Sequence, residues 1–484
     1  MSLRSLALVA LAALTASFLA PSPQVTASSP PAFDDLFTRR TMRVDYFHTG
    51  SDGRETVALD RLVSDGPWPG SLTRLVDETN LGTYFFEVID AATNRAIYSR
   101  GFASLFGEWE TTDEAPKGIA RTFHESIRFP WPRSPVQLVL KKRDRENVFR
   151  EVWSTRIDPD SRFVNAADRA PLGTVWTLFE NGPASAKVDL LIIGDGYTRA
   201  ELPKFHADAQ RLVDRLFATE PFRSRRADFN VRAIDLPVAE SGVHRPQAGV
   251  SRRTALSTEY NIFDSERYAL VTDNRMLREV ACAAPYEFLE ILINDAHYGG
   301  GGIFNAQATA AVDTAFAEYI FVHEFGHHFA ALGDEYYTSD VAYETGRADL
   351  PEPWEPNITA LHDAAKLKWR DLVDPATPIP TPWDKAAFEA HSREIQARRR
   401  EIRARNAPER EMNALLTEQQ TFETKLLGSM TYSRRVGAFE GAAYEAKGLY
   451  RPEADCIMFS RDDVGFCRVC RRAISRVIDL YSRD

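Results

Sequence analysis

The segment His323-Glu324-Phe325-Gly326-His327, followed by Gly333-Asp334-Glu335-Tyr336, restricts this chain more than any other stretch of it. Residues four apart on an α-helix share a face, so His323 and His327 can present two imidazole nitrogens to one metal ion while Glu324 stands beside it as a base. Zn2+ suits such a set, because a catalytic zinc takes three protein ligands and keeps a fourth position for water. The pattern is that of a zinc hydrolase.

The run from Asp313 to Leu332 reads as one buried helix, with Phe316, Ile320, His323, His327 and Ala331 at spacings of three and four. A third ligand must come from outside the histidine pair, and Asp334 is the candidate. An unbroken helix would leave it ~16 Å along the axis from His323, whereas zinc bonds are near ~2 Å. The helix must therefore stop, and Gly333 is expected to stop it in the left-handed conformation that closes helix C-termini. Glu335 is the rival donor, since its longer side chain reaches the same place if the turn opens differently. Tyr336 and Tyr337 follow; a phenol there could stabilise an oxyanion, although tyrosines after a helix commonly just pack. His328 points about 100° away from His327 and reads as a packing residue.

With these residues in hand, the chain is similar to a known family, the secreted zinc metallopeptidases called IgA peptidases or igalysins, a branch of the metzincin clan. Besides His-Glu-Phe-Gly-His-x-Phe-Ala and Asp-Glu-Tyr, the matches are Gly194-Asp195-Gly196-Tyr197, Tyr298-Gly299-Gly300, Cys456-Ile457-Met458 and Phe466-Cys467-Arg468-Val469-Cys470. The resemblance implies that His323, His327 and Asp334 bind zinc, that Glu324 is the general base and that Met458 forms a turn under the metal. It also implies that the region from Tyr298 to Phe304 offers a strand edge to an extended peptide. The chain departs from the family at Ala331, where glycine is usual, so the helix is expected to run a little longer here.

Arg4 and the apolar run from Leu6 to Ala20 read as a secretory signal peptide, taken as residues 1–28, too short to span a membrane. A secreted or periplasmic protein is expected, with no membrane span. A net charge of −10 argues against a nucleic-acid partner, whose phosphates most of this surface would repel. Oligomeric state is not readable. In an oxidising compartment Cys282, Cys456, Cys467 and Cys470 are expected to form up to two disulfides. Cys467-x-x-Cys470 alone is only half of a structural zinc site, because no second Cys-x-x-Cys exists.

The fold class expected is multidomain α+β. Short β runs at Met42–Phe47, Tyr84–Ile89, Val136–Leu140 and Val148–Trp153 predict an N-terminal β-sandwich over 33–165. A metzincin-like zinc metallopeptidase domain is expected over 180–484. Val188–Ile193 and Phe288–Asn294 are apolar enough for buried strands, and Thr198 with Glu201 forms a capping box. Gly194-x-Gly196 lacks the third glycine of a dinucleotide site, since Arg199 stands there. Charged helices at Asp384–Arg405 and Glu409–Leu427 read as an inserted hairpin, 384–427, with Phe388, Ile395 and Ile402 as a seam and a solvated outer face.

The function expected is endopeptidase hydrolysis of a protein or peptide substrate by metal-activated water, with Glu324 as base. Two alternatives remain open at this point: an adhesion or glycan-binding protein with a structural zinc, and a zinc hydrolase of non-peptide amides or esters.

Overall fold

The computed structural model describes residues 32–51, 53–338 and 350–482. The leader read at 1–28 lies outside the described residues. In the N-terminal half, a short turn of helix α1 (Phe33–Leu36) leads into eight strands. These are β1 (Phe37–Ser51), β2 (Arg54–Pro67), β3 (Tyr84–Asp90), β4 (Arg95–Phe102), β5 (Arg121–Pro132), β6 (Val136–Arg143), β7 (Phe149–Ile157) and β8 (Val164–Asn165), with α2 (Leu105–Glu110) between β4 and β5.

They form two four-stranded sheets, β5-β1-β2-β8 and β4-β3-β6-β7. Alternation decides how the sheets meet. Met42, Val44, Tyr46, Ile127 and Phe129 point inward from one sheet and Tyr84, Phe86, Val88, Leu138 and Leu140 from the other, closing one apolar core. Between the sheets, His48 is buried and bonded to both Glu125 and Glu55, at 3.1 and 2.8 Å. Burial alone would discharge the imidazole, but these two carboxylates raise its pKa to about 9.

The second half is built on a six-stranded sheet in the order β15-β16-β14-β10-β11-β9. Its strands are β9 (Thr174–Phe179), β10 (Val188–Asp195), β11 (Phe229–Asp235), β14 (Phe288–Ile293), β15 (Gly300–Ile303) and β16 (Gln307–Ala311), and a small pair, β12 (Thr258–Glu259) and β13 (Leu270–Val271), lies between. The inner strands run parallel, and β10 is buried along its whole length, which is why Leu190–Ile193 is apolar without alternation; Asp189, also buried, is paired with Arg232. On one face pack α3 (Leu202–Leu216), α5 (Ala317–Ala330) and α8 (Arg468–Ser482); α4 (Asn274–Ala281) packs on the other. The Thr198–Glu201 capping box opens the turn before α3.

Two long helices, α6 (Lys385–Ala404) and α7 (Glu409–Gly428), lean on the same core as α5, and the hairpin β17 (Phe439–Ala442) and β18 (Glu445–Arg451) follows. Phe388, Ile395 and Ile402 are buried along one side of α6. The pair is less solvated than its charge suggested. Arg399 on α6 and Gln419 and Glu423 on α7 are buried too.

The two halves are joined through polar contacts that a sandwich face and an α/β face both supply. Arg128 lies 3.5 Å over the Tyr286 ring, Arg43 bonds Glu279 at 2.8 Å, and the Ala103 N–H donates to the Phe304 carbonyl at 2.9 Å. That last bond ties the sandwich to the end of β15, beside the helix that carries the two histidines.

Candidate metal centre

Helix α5 begins at Ala317 and ends at Ala330, shorter at both ends than the pattern predicted. What ends it is Ala331, at φ 54° and ψ 33°, with its N–H bonded back into the last turn. The expectation for Gly333 is therefore corrected, as is the expectation of a longer helix. Gly333 is absent from the left-handed region among the described residues; its role is close packing, since a Cβ there would sit 2.6 Å from the Ile358 side chain. An alanine in the left-handed region costs ~1–2 kcal/mol, which the surrounding packing must offset.

The break turns the chain back under the helix. His323 and His327 Nε2 are 3.1 Å apart, and Asp334 Oδ1 is 3.2 Å from each. The opposite ring nitrogens settle the tautomers. His323 Nδ1–H donates to the Ile457 carbonyl at 2.9 Å and His327 Nδ1–H to the Leu332 carbonyl; carbonyls only accept, so in the neutral rings both Nε2 atoms carry lone pairs. Two lone pairs and a carboxylate oxygen thus converge within one triangle. Asp334 Oδ1 is buried without a hydrogen bond. Such a cluster repels itself unless positive charge sits in it, and triangle edges of 3.1–3.2 Å match the ~3.3 Å between donors held tetrahedrally at ~2.0–2.1 Å from zinc. Burial opposes charge on His327, yet Asp334 beside it raises its pKa to about 9, so without a metal a proton on Nε2 is favoured and a bound cation would displace it.

Asp334 is held from behind. Tyr444, at the tip of the β17–β18 hairpin, donates its hydroxyl to Asp334 Oδ2, and the Ala443 N–H donates to the Asp334 carbonyl at 2.9 Å. The Tyr444 oxygen is 3.1 Å from the Tyr336 hydroxyl, which accepts from Arg267 at 3.2 Å. Donation then runs from Arg267 through both phenols to Asp334. Tyr337 instead packs against Trp383 and Phe388.

Glu335 turns the other way. It is fully buried among Cys456, Cys467 and Cys470, so the adjacent carboxylates Asp334 and Glu335 serve different clusters. The expected disulfides are corrected as well: all four cysteines are thiols, with Cys456 and Cys470 sulfurs 3.9 Å apart against a bond length of ~2.05 Å. Two disulfides are excluded by position, because three thiols cluster while Cys282 stands apart beside Asp65 and Arg43.

Glu324 lines a cleft with Arg267, Tyr298, Tyr319, His323 and Tyr336, and burial raises its pKa above the usual carboxylate range. The opposite wall is formed by Phe388, Gln396 and Arg399 of α6 with Gln419 and Glu423 of α7. His328 is a packing residue, donating from Nδ1 to Ile303 and accepting the Leu289 N–H at Nε2; burial lowers its pKa to about 3 and keeps it neutral. Met458 lies buried in the turn after Cys456, against Gly326 of α5.

The strand edge at β15 is less open than anticipated. Gly300 donates to the Arg267 carbonyl at 3.1 Å and accepts from the Ala269 N–H at 3.3 Å, so this end of the edge is already paired. The glycines here serve close approach: a Cβ on Gly302 would lie 2.3 Å from the Glu324 carbonyl.

Several residues of the site carry no local sequence signal. Tyr444 and Ile457 arrive from more than a hundred residues away, and only the fold brings them in. Glu108 on α2 feels the charges of His327 and Asp334, and burial raises its carboxyl to about 7, so the N-terminal half reaches the site electrostatically.

No curated protein matches the chain. Two family models do: the one described as Peptidase M64 N-terminus over residues 32–154, and IgA Peptidase M64 over 176–478. With the second alone covering more than half of its length, this chain belongs to the IgA peptidase M64 family of peptidases.

Proposed function

We propose that the protein is an exported zinc-dependent endopeptidase in which His323, His327 and Asp334 hold Zn2+ and Glu324 is the general base. The observation that carries this reading is the triangle of two oriented imidazole nitrogens and an unpartnered carboxylate oxygen, with edges of 3.1–3.2 Å, beside a carboxyl that lines a cleft. Zinc, when bound, supplies a Lewis acid that polarises the scissile carbonyl and acidifies water.

The remaining work falls to side chains. Glu324 takes the proton of the attacking water and, as a carboxylic acid, delivers it to the leaving amine nitrogen; its raised pKa suits both transfers. Arg267, lining the same cleft, supplies positive charge that would stabilise a developing oxyanion. Tyr444 fixes the rotamer of Asp334. The leader read at 1–28 supports export, and no helix among the described residues is long and apolar enough to cross a membrane. A protein or peptide is the substrate.

The test is casein cleavage by the purified protein. Chelation should abolish it and Zn2+ restore it, while Glu324→Gln keeps the metal and loses ~10²–10⁴-fold in rate. Cleavage undiminished in Glu324→Gln would remove that residue from the base role.

A further inference from the structure

On the far side of the Asp334-Glu335 dipeptide lies a second cluster that the proposed chemistry does not use. Cys456, Cys467, Cys470 and Glu335 place one donor atom each within 4.8 Å of one another, all of them buried. Cys470 Sγ is 3.2 Å and Cys467 Sγ 3.8 Å from Glu335 Oε1, and Cys456 and Cys470 sulfurs are 3.9 Å apart. Donors at the corners of a tetrahedron around zinc stand ~3.8 Å apart for two sulfurs and ~3.5 Å for sulfur and oxygen, given bonds of ~2.3 and ~2.0 Å. The two sulfur–oxygen spacings bracket the ideal and the sulfur–sulfur spacing is ~0.1 Å above it.

Polar accounting points the same way. Glu335 is fully buried, and its Oε2 has no hydrogen-bond partner, while Oε1 accepts from Asn357 at 3.0 Å. An unpartnered carboxylate oxygen enclosed with three thiols is costly unless something joins them. The Cys467 N–H is directed at Cys456 Sγ at 3.2 Å and the Cys470 N–H at Cys467 Sγ at 3.4 Å, an arrangement that favours thiolate.

We propose that Cys456, Cys467, Cys470 and Glu335 form a second metal site that takes Zn2+ as a closed structural centre. On binding, the three thiol protons leave to solvent, three zinc–sulfur bonds form and the Glu335 carboxylate takes the fourth position. The filled site carries two net negative charges. Buried Arg451, whose guanidinium interacts with both Glu335 and Cys456, offsets one of them. Soft sulfur donors and a tetrahedral shape select zinc over calcium or magnesium, and the absence of an open position makes the role structural.

Such a centre would clamp three pieces of chain that are distant in sequence: the segment after α5, the turn at 456–459 and the start of α8. Two of them touch the first site. The turn supplies the Ile457 carbonyl that orients His323, and the Glu335 N–H donates to the Met458 carbonyl at 2.8 Å. The second metal would thus hold the floor under the first while staying out of the reaction.

The experiment is zinc stoichiometry and thiol counting on the full mature chain, expressed with Zn2+, desalted and never exposed to reductant after purification. Elemental analysis should find about two zinc per wild-type chain and about one in the His323→Ala/His327→Ala double variant, which lacks the first site. In guanidinium with chelator, all four cysteines should react with a thiol reagent, whereas the native protein should protect the clustered three. Cobalt loaded into the double variant should give a thiolate-to-cobalt charge-transfer band. A double variant without metal, or only two reactive thiols in unreduced denatured wild type, would overturn the proposal, the latter by showing a disulfide. Because these readouts use a variant without the histidine pair, the proposal and the peptidase reading fail separately.

Discussion

Asp334 and Glu335 are neighbours in sequence with the same charge, yet one faces two imidazoles at the edge of a cleft and the other faces three thiols in closed interior. The imidazole site is reached by Glu324 and lies open to a groove walled by α6 and α7; the thiol site has every member buried. The catalytic role proposed for the first site and the structural role proposed for the second rest on that difference in openness. The left-handed Ala331 turns the chain back beneath α5, after which the consecutive side chains of Asp334 and Glu335 face different clusters.

The strongest way to break this comparison is at its catalytic end. His327→Ala should reduce casein cleavage to background while thermal unfolding shifts by only a few degrees; retained cleavage would mean that the triangle is not the reacting centre. Next come the adjacent carboxylates. Asp334→Asn should abolish cleavage with little change in Tm, whereas Glu335→Gln should lower Tm by ~5–10 °C and leave a large share of the activity in the folded protein. Equal effects of the two substitutions in both assays would erase the distinction drawn here. Tyr444→Phe removes the hydrogen bond behind Asp334 and should weaken zinc binding ~10–100-fold in a chelator competition, with Tyr337→Phe as an unaffected control. The smallest effect belongs to Ala331→Gly, which relieves the left-handed strain and should raise stability by up to ~1 kcal/mol, read from denaturant unfolding.

Local periodicity made part of this legible in advance. Four-residue spacing placed His323 and His327 on one face, and their Nε2 atoms do lie 3.1 Å apart; the largely apolar run at Val188–Ile193, interrupted only by Asp189, became a strand buried on both faces. The helix stop was placed two residues late, because propensity rules assign the left-handed position to glycine and tertiary packing here imposes it on alanine. The thiol cluster escaped because Cys467-x-x-Cys470 finds its partners at Cys456 and, over 130 residues upstream, at Glu335, a distance that motif spacing does not encode. For the same reason Tyr444 was invisible. The charged helices α6 and α7 read as solvated, since sequence records their arginines and glutamates but not that Arg399 and Glu423 turn into a cleft.

The most direct test of the central claim is an anomalous difference map from crystals of the protein, recorded just above the zinc absorption edge. A peak bonded to His323 Nε2, His327 Nε2 and Asp334 is expected, and zinc-replete crystals with no density between those three side chains would contradict a metal centre there.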